Sequence, residues 1–341
     1  MEDSKKNVIK TLEFDNPTQV PIQLWDLPWA NIHYPTELKS IKKEFPDDII
    51  SAPELLSKEI NTKGDPYKIG EYVDEWGCLF ENRQEGIIGE VKNPIIKSWE
   101  DVSDFHFPIE FLSIKSEEIN KFCKINNEKF IISPCCARPF ERIQFLRGSE
   151  NIYIDFYESK NEFESLLNNI HEFNCKRLEA WSKTEVDALF IMDDWGAQNS
   201  LLISPELWRE IFKPLYKEYV EMAKRNGKYI FMHSDGNILS IVPDLIEVGV
   251  DALNSQIFAM GLSNLTKFKG EITFWGEIDR QHMLPYFSVE EIENEVEEVY
   301  QELYADGGII GQCEFGPGAN PENVYTVFNT WQKILKNNNL S

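Results

Sequence analysis

Residues 188–236 read ALFIMDDWGAQNSLLISPELWREIFKPLYKEYVEMAKRNGKYIFMHSDG. The segment contains two short apolar runs, at 188–192 and 228–232, with a longer amphipathic stretch between them. Short runs rich in Ile, Phe and Val are typical of buried parallel strands. The Ser-Pro pair at 204–205 is typical of a helix N-terminus, and Gly227 is typical of a helix C-terminus. The segment therefore predicts a strand–helix–strand unit of a parallel α/β fold.

The same alternation continues along most of the chain. Further short apolar runs lie at residues 20–25, 129–133, 250–253, 272–275 and 308–311. The alternation predicts an α/β fold, the (β/α)8 TIM barrel. These runs account for seven of the eight strands. We expect the eighth strand to lie between residues 154 and 184. A doubly wound open sheet is the alternative, although the chain has no Gly-x-Gly-x-x-Gly turn for nucleotide binding by such a sheet.

Two segments lie outside this alternation. Residues before the first strand form an N-terminal extension, and residues 66–108 interrupt the pattern. Within the interruption, residues 76–80 and 86–91 predict a β-hairpin inserted near the barrel mouth. No low-complexity linker, long like-charge block or short-period repeat divides the chain, so we expect a single domain over residues 1–341.

Composition narrows the classes of partner. Hydrophobic residues make up 42% and aromatic residues 13% of the 341, as in ordinary globular proteins. The 58 acidic and 34 basic residues give a formal charge of −24, which disfavours nucleic-acid and membrane partners. The sequence shows neither a membrane-spanning run nor a signal-peptide core, and its six cysteines form no Cys-x-x-Cys pair. We therefore expect a cytoplasmic protein with reduced cysteines.

Polar side chains follow the predicted strands where each strand ends. They include Asp26, Asp193, Asp194, His233, Asp235, Asn254, Glu277 and Cys313. A (β/α) barrel gathers the carboxyl ends of its strands at one mouth, where the chemistry of this fold takes place. Several carboxylates brought together there repel one another unless a cation, a proton or a basic ligand group neutralises them.

His233, Glu277 and Cys313 are the candidate metal ligands. Imidazole, carboxylate and thiolate groups all bind zinc, and a catalytic zinc takes about three protein ligands. The spacing alone is weak evidence, because no pair has the Cys-x-x-Cys or His-Glu-x-x-His form. His233 could equally be a structural histidine, Glu277 a turn cap and Cys313 a buried core thiol.

Several motifs resemble the uroporphyrinogen decarboxylase superfamily. They are DDWGAQNSLLISP at 193–205, MHSDGN at 232–237, WGEIDRQ at 275–281 and NPEN at 320–323, with weaker similarity at 20–25 and 74–77. The resemblance covers most of the chain. It implies a distorted (β/α)8 barrel with a deep pocket at the carboxyl ends of the strands.

The superfamily contains cofactor-free uroporphyrinogen decarboxylases and corrinoid-dependent methyltransferases. True decarboxylases carry an N-terminal Arg-Gln-Ala-Gly-Arg signature that binds substrate carboxylates. The corresponding stretch here is WDLPWA at 25–30, which has no Arg and adds Asp26. An acidic, aromatic entrance is poorly suited to a substrate with eight carboxylates, so the chain resembles the methyltransferase branch more closely.

The thiol-methylating members of that branch hold zinc with a His-x-Cys motif and a distant Cys. His233 matches the first position and Cys313 the last, but Asp235 replaces the middle Cys. A carboxylate donates less charge to zinc than a thiolate does. This departure disfavours coenzyme M-type thiol chemistry, and it favours an O- or N-methyl substrate or the loss of the metal.

The resemblance also implies roles for the other candidates. Asp193, Asp194 and Asp235 would be catalytic carboxylates that orient substrate or pass a proton, with Asp235 or Glu277 completing the ligand set. A strand-end Asp is also often only a helix cap. The residues expected to bind substrate are Trp25, Asp26, Trp29, Trp195, Gln198 and Asn254. The tryptophans would wall an apolar pocket or simply pack.

The implied activity is methyl transfer between a small O-, N- or S-methyl compound and a corrinoid protein. Zinc would be the cofactor of this chain, and a partner protein would supply the corrinoid, since no corrinoid-binding module is visible in the sequence. The resemblance also implies a homodimer. The alternatives are a metal-free decarboxylase or lyase acting on a substrate other than uroporphyrinogen, and a non-catalytic small-molecule binder.

Overall fold

The computed structural model describes residues 3–338 and places eight parallel strands in one sheet. The strands of the chain are β1 (Ile22–Asp26), β2 (Ile49–Ser51), β3 (Gly70–Val73), β4 (Leu79–Asn82), β5 (Glu90–Asn93), β6 (Phe130–Ala137), β7 (Ala188–Met192), β8 (Tyr229–Ser234), β9 (Ala252–Ser255), β10 (Thr273–Trp275) and β11 (Ile309–Phe315). The parallel sheet has the order β1-β11-β10-β9-β8-β7-β6-β2. The predicted TIM barrel is confirmed. The prediction of one domain over residues 1–341 includes both ends, which lie outside the described residues, and stays a prediction.

Helices connect the strands. They are α1 (Ser4–Leu12), α2 (Pro28–His33), α3 (Pro35–Glu44), α4 (Ser116–Ile125), α5 (Pro139–Arg147), α6 (Ser149–Glu158), α7 (Lys160–Ser182), α8 (Pro205–Ile211), α9 (Lys213–Arg225), α10 (Val242–Val248), α11 (Ile257–Met260), α12 (Leu262–Leu265), α13 (Met283–Tyr286), α14 (Val289–Leu303) and α15 (Pro321–Asn338). Helix α1 is the N-terminal extension, and its Val8 and Leu12 pack against the apolar interior of the barrel. Within residues 3–338, no helix has the length and apolar character needed to cross a membrane.

The barrel closes between β1 and β2 largely through side chains. Gln23 Nε2 donates a hydrogen bond to the Ile49 carbonyl at 3.1 Å. Two aspartates that precede β2 accept from the backbone of β1: Asp48 Oδ2 from Ile22 N at 2.8 Å, and Asp47 Oδ1 from Leu24 N at 2.6 Å. The missing strand is therefore β2. The prediction that it lies between residues 154 and 184 was wrong, because α6 and α7 occupy that region.

Alternate residues of each barrel strand belong to two apolar layers. Phe231, Trp275 and Ile310 lie in the interior layer. Ile309 and Cys313 lie in the outer layer, between the sheet and the helices. Since side chains alternate along a strand, Gln312 and Glu314 share the inward direction of Ile310.

The insertion is larger than the predicted hairpin. Strands β3, β4 and β5 form a three-stranded antiparallel sheet in place of two strands at 76–80 and 86–91. An ion pair of 2.7 Å between Asp74 and Arg142 joins the insertion to α5. Gly86 fits against the backbone of Trp29 with no space for a Cβ, and its φ is +88°. The insertion is thereby held beside the barrel mouth.

Candidate active site

His233 lies at the mouth end of β8 and is held through one ring nitrogen. Its Nδ1 is 2.5 Å from Asn254 Oδ1, and Asn254 Nδ2 donates to the Trp275 carbonyl. Because the second bond fixes which amide atom is the acceptor, His233 Nδ1 carries a proton. Trp25 packs beside the imidazole, with ring centroids 5.3 Å apart. The remaining nitrogen, Nε2, is left to face other groups.

Two carboxylates face His233 Nε2. Asp194 Oδ1 lies 3.5 Å from this nitrogen, and Asp235 Oδ1 lies 3.6 Å from it. Burial disfavours the charged imidazolium, but Asp194 and Asp235 together raise the pKa of His233 to about 9. In return, the hydrogen bond and charge of His233 outweigh burial and lower the pKa of Asp194. We refer to Asp194, His233 and Asp235 as the triad.

A close contact between two glycines sets the spacing of the triad. Gly196 N donates to the Asp235 carbonyl at 2.9 Å, and Asn237 N donates to the Ala197 carbonyl at 2.8 Å. A Cβ on either Gly196 or Gly236 would overlap the backbone of the other loop, and Gly236 has a φ of +76°. The loops after β7 and β8 are therefore locked together, which places Asp194 and Asp235 side by side.

Arg280 compensates three carboxylates at the same mouth. Its Nη1 lies 3.0 Å from both carboxylate oxygens of Glu277, and its Nη2 lies 2.5 Å from Asp235 Oδ2. Its Nε lies 3.8 Å from Glu314 Oε1. Burial raises the pKa of Glu277 to about 8 although the Arg280 charge lowers it. Sequence reasoning missed Arg280 and Glu314; the signal that could have found Arg280 is a cation three residues after a strand-end carboxylate.

A cavity of about 1060 Å³ lies in front of the triad and includes Asp194 and Asp235 in its lining. This volume lies at the upper end of the usual range for small-molecule sites. The other walls come from the segment after β2, the insertion, the end of β6, α5 and α7. They include three arginines that sequence reasoning also missed. Each forms an ion pair within the protein: Arg138 with Glu141 at 3.1 Å, Arg142 with Asp74 at 2.7 Å and Arg177 with Glu54 at 2.6 Å.

The sequence profile of uroporphyrinogen decarboxylase (URO-D) matches residues 74–334, which include the triad and Arg280. The chain belongs to the uroporphyrinogen decarboxylase family. The family that the motifs predicted is thus confirmed. Among curated proteins, no sequence match to the chain was found.

Solved structures share the barrel of this uroporphyrinogen decarboxylase family member. A methyltransferase from Methanosarcina mazei superposes with a TM-score of 0.68 at 16% identity, over 98% of this chain and 99% of that one. At this identity the likeness shows the fold. Xylanase 10B from Thermotoga petrophila is less similar, with a TM-score of 0.47 at 11% identity over 95% of this chain and 98% of that one.

Two of the predicted site residues of this family member, Asp193 and Trp195, are buried beside α5, which forms part of the cavity wall. Asp193 is buried and accepts hydrogen bonds from Phe140 N at 3.0 Å, Glu141 N at 2.7 Å and the Tyr216 hydroxyl at 2.5 Å. It therefore caps the N-terminus of α5, and burial raises the pKa of Asp193 to about 8. Trp195 stacks on Phe140 with ring centroids 4.1 Å apart, so it packs in the core.

The structure does not bring four other predicted residues to the triad. Cys313 faces the outer layer, where burial raises the pKa of its thiol. Asp26 pairs with Lys42 at 2.5 Å, and Trp29 stacks on His33. Gln198 is exposed and lines a smaller pocket of about 240 Å³ beside Glu277 and Arg280.

The predicted metal set of His233, Glu277 and Cys313 is likewise divided. Glu277 is engaged by Arg280, and Cys313 lies on the other side of the sheet. The group that the structure brings together is the triad, whose nitrogen and oxygen donors all lie within 4.8 Å of one another. Imidazole nitrogen with two carboxylate oxygens is a donor set that fits a divalent cation such as zinc.

Proposed function

We propose that this protein is a corrinoid-dependent methyltransferase, which moves a methyl group between a small O-, N- or S-methyl compound and a corrinoid held by a partner protein. The observation that carries the proposal is the triad at the edge of the large cavity. His233 is fixed through Nδ1, so that Nε2 and the carboxylates of Asp194 and Asp235 are the groups available for chemistry.

Methyl transfer from an ether or an amine is limited by its leaving group. The reduced corrinoid is the nucleophile; as the methyl group leaves, the bonding electron pair stays on the substrate oxygen or nitrogen. That atom needs a proton or a Lewis acid. His233 supplies the proton from Nε2, and Asp194 and Asp235 stabilise the imidazolium before the transfer. In the reverse direction His233 takes the proton back.

The same three side chains fit a zinc ion. Neutral His233 would bind through Nε2, since Asn254 holds Nδ1 as a second-shell partner of the kind that metal-binding histidines commonly have. Asp194 and Asp235 would complete the ligand set. When bound, zinc supplies Lewis acidity toward the leaving atom. Arg280 contacts Asp235 Oδ2, and Asp235 Oδ1, which also accepts from Gln256 Nε2 at 3.2 Å, would be the oxygen that faces the metal.

The charges of the cavity wall support a small substrate of low charge. Arg138, Arg142 and Arg177 each pair with a carboxylate of the protein. A polyanion such as a porphyrinogen would have to displace these partners, of which Asp74 is buried and Glu54 and Glu141 are partly buried, and a charge left without its partner in a buried site is costly. A methyl ether or a methylamine requires no such displacement. The partner protein and the expected homodimer belong to this proposal.

A decarboxylase or lyase acting on another substrate is the second candidate. The observation that favours it is the same set of three arginines, one of which could exchange its internal carboxylate for that of a substrate. This candidate predicts carbon dioxide release or elimination without any corrinoid. It also predicts that a corrinoid acceptor has no effect on turnover.

The test is methyl transfer to cob(I)alamin from a panel of methyl ethers, methylamines and methyl thioethers, followed by the absorbance of the corrinoid. We expect His233→Ala to lower the rate by roughly 100-fold or more, as for loss of a proton donor. His106→Ala, at an exposed histidine outside the cavity, is the matched control. Full activity of His233→Ala would reject the role of the triad. Turnover of a carboxylate without corrinoid would favour the second candidate.

Elemental analysis of the same two variants separates the zinc mechanism from the proton mechanism. Loss of one equivalent of zinc per chain in His233→Ala, relative to the native protein and to His106→Ala, supports the ligand set. Methyl transfer by a protein that remains active after complete chelation supports His233 as the acid instead.

A further inference from the structure

A second group of metal-ligating side chains lies on the outside of the barrel, between α7 and α9. It consists of His171 and Cys175 on α7 and Glu218 on α9, and we refer to it as the outer cluster. The spacing i, i+4 places His171 and Cys175 on one face of α7. None of the three residues contributes to the triad or to the lining of the large cavity.

Two of the three donor–donor distances in the outer cluster are close to those around a tetrahedral metal ion, and the third is a hydrogen-bond distance. Cys175 Sγ lies 3.6 Å from His171 Nε2 and 3.6 Å from Glu218 Oε1. His171 Nε2 lies 2.8 Å from Glu218 Oε2. Ligands on a tetrahedral zinc, with bonds of about 2.0 Å to nitrogen or oxygen and about 2.3 Å to sulfur, lie roughly 3.3–3.5 Å apart. A small opening between His171 and Glu218 would therefore admit the ion.

The surroundings orient the cluster for binding. Tyr219 is buried, and its hydroxyl lies 3.0 Å from His171 Nδ1 and 3.4 Å from Asn174 Nδ2. Without metal, His171 Nε2 donates to Glu218 Oε2; when an ion takes the place of that proton, the ring proton moves to Nδ1 and is donated to the Tyr219 hydroxyl, which becomes a second-shell partner. The side chain of His171 is 13% exposed and that of Glu218 is 56% exposed, so an ion can enter from solvent.

We propose that His171, Cys175 and Glu218 form a binding site for a divalent transition metal of the zinc class, with one position open to water. The donor set joins one nitrogen, one sulfur and one oxygen, a combination that suits zinc and excludes calcium and magnesium. Binding replaces the thiol proton of Cys175, which is released to solvent. The ion cross-links α7 to α9 and is independent of the proposed methyl transfer.

An oxidation-sensing role for the same cysteine is less consistent with its surroundings. Burial, with the negative charges of Glu218 and Glu172, raises the pKa of Cys175 to about 12. Reactive sensor thiols have lowered pKa values and basic neighbours. The negative charges of Glu218 and Glu172 instead favour a cation at this position.

Titration of the full-length protein with Co²⁺ tests the proposal, because a thiolate ligand adds an intense sulfur-to-cobalt absorption band. The triad has no sulfur, so a metal bound there does not produce this band. We expect the band in the native protein, its displacement by Zn²⁺, and its loss in Cys175→Ser. Cys123→Ser, at a buried cysteine of α4, is the matched control and should keep the band.

A second readout guards against misfolding of the variant. Zn²⁺ should raise the Tm of the native protein and of Cys123→Ser by more than it raises the Tm of Cys175→Ser, in which the outer cluster has lost its thiolate ligand. Glu218→Gln changes an exposed side chain and should weaken Co²⁺ binding even if Cys175→Ser does not fold. The proposal is overturned if the native protein shows no sulfur band, or if the band survives in Cys175→Ser or is unchanged in Glu218→Gln.

Discussion

His233 Nδ1 and Asn254 Oδ1 face each other at 2.5 Å across neighbouring strands, where the two residues are register partners of β8 and β9. Asn254 is itself fixed by its bond to the Trp275 carbonyl on β10. Three adjacent strands therefore determine the orientation of one imidazole. The ring is oriented before any ligand binds, which is the condition for a preorganised site.

Asn254→Ala should lower turnover by about 10–100-fold, as observed when outer partners of a ligand histidine are removed. The reason is that His233 loses the acceptor that fixes its protonated nitrogen. The measurement is kcat together with Tm. Asn264→Ala, at an asparagine that caps α11 through the Met260 carbonyl, is the control. Equal turnover in the two variants would show that Asn254 does not orient His233.

Above pH 8, where Glu277 is ionised, Arg280→Gln should destabilise the protein by roughly 3 kcal/mol, because it leaves this buried carboxylate without its partner. Urea unfolding measures this loss. The double variant with Glu277→Gln should recover part of the stability, since both charges are then absent. A double variant no more stable than Arg280→Gln alone would contradict this account of the pair.

Substitutions at two neighbouring residues of β11, Cys313 and Glu314, should differ in their effect on turnover. Cys313→Ala should leave turnover within about two-fold and cost about 1 kcal/mol of stability, because the side chain packs in the outer layer. Glu314→Gln should lower turnover, because it alters the charge that faces Arg280 at the mouth. Steady-state kinetics and urea unfolding of both variants provide the comparison. Loss of activity in Cys313→Ala would restore Cys313 as a ligand.

The closure of the barrel should depend on pH through Asp47. Burial raises the pKa of Asp47 from 3.8 to about 6 in the folded protein, so the folded state holds this proton more tightly than the unfolded chain does. The stability contributed by Asp47 is therefore complete below about pH 4 and is lost as the pH rises through about 6. The expected loss is about 1–2 kcal/mol, reduced from the full shift by partial exposure.

Asp47→Asn should flatten this part of the stability profile and should stabilise the protein above pH 6, while its amide oxygen still accepts from Leu24 N. Urea unfolding across pH 4–7 measures both effects. Asp15→Asn, at an exposed aspartate, should keep the native profile. An unchanged slope in Asp47→Asn would place the titration elsewhere.

The sequence predicted the barrel, the family and the position of His233, because long alternations and motif residues at strand ends are local signals. It did not locate β2, which has three residues and is completed by aspartate side chains and not by an apolar run of its own. Residues 154–184 lack a strand altogether, and the long apolar stripe of α7 explains why the region was difficult to interpret.

The sequence also did not show which residues of a barrel strand face the interior. Strand β11 is buried on both sides, with Ile309 and Ile310 equally apolar, so its sequence does not alternate. A shift of one residue exchanges the two faces, so the sequence does not show whether Cys313 or Glu314 faces the mouth, and the family motif favoured Cys313. Arg280 was missed because it is three residues beyond the strand-end Glu277 and reaches back to the mouth.

Because the contact between Gly196 and Gly236 fixes the backbone, the spacing of the triad and the identity of its donor atoms are determined separately. The backbone determines how far apart positions 194 and 235 stand, and the side chains at those positions determine which donor atoms are presented to His233. The two properties can therefore change independently during divergence. Cysteine, histidine or an amide at either position would have the same spacing. The same backbone can therefore present different donor atoms, and support a different chemistry, without a change of fold.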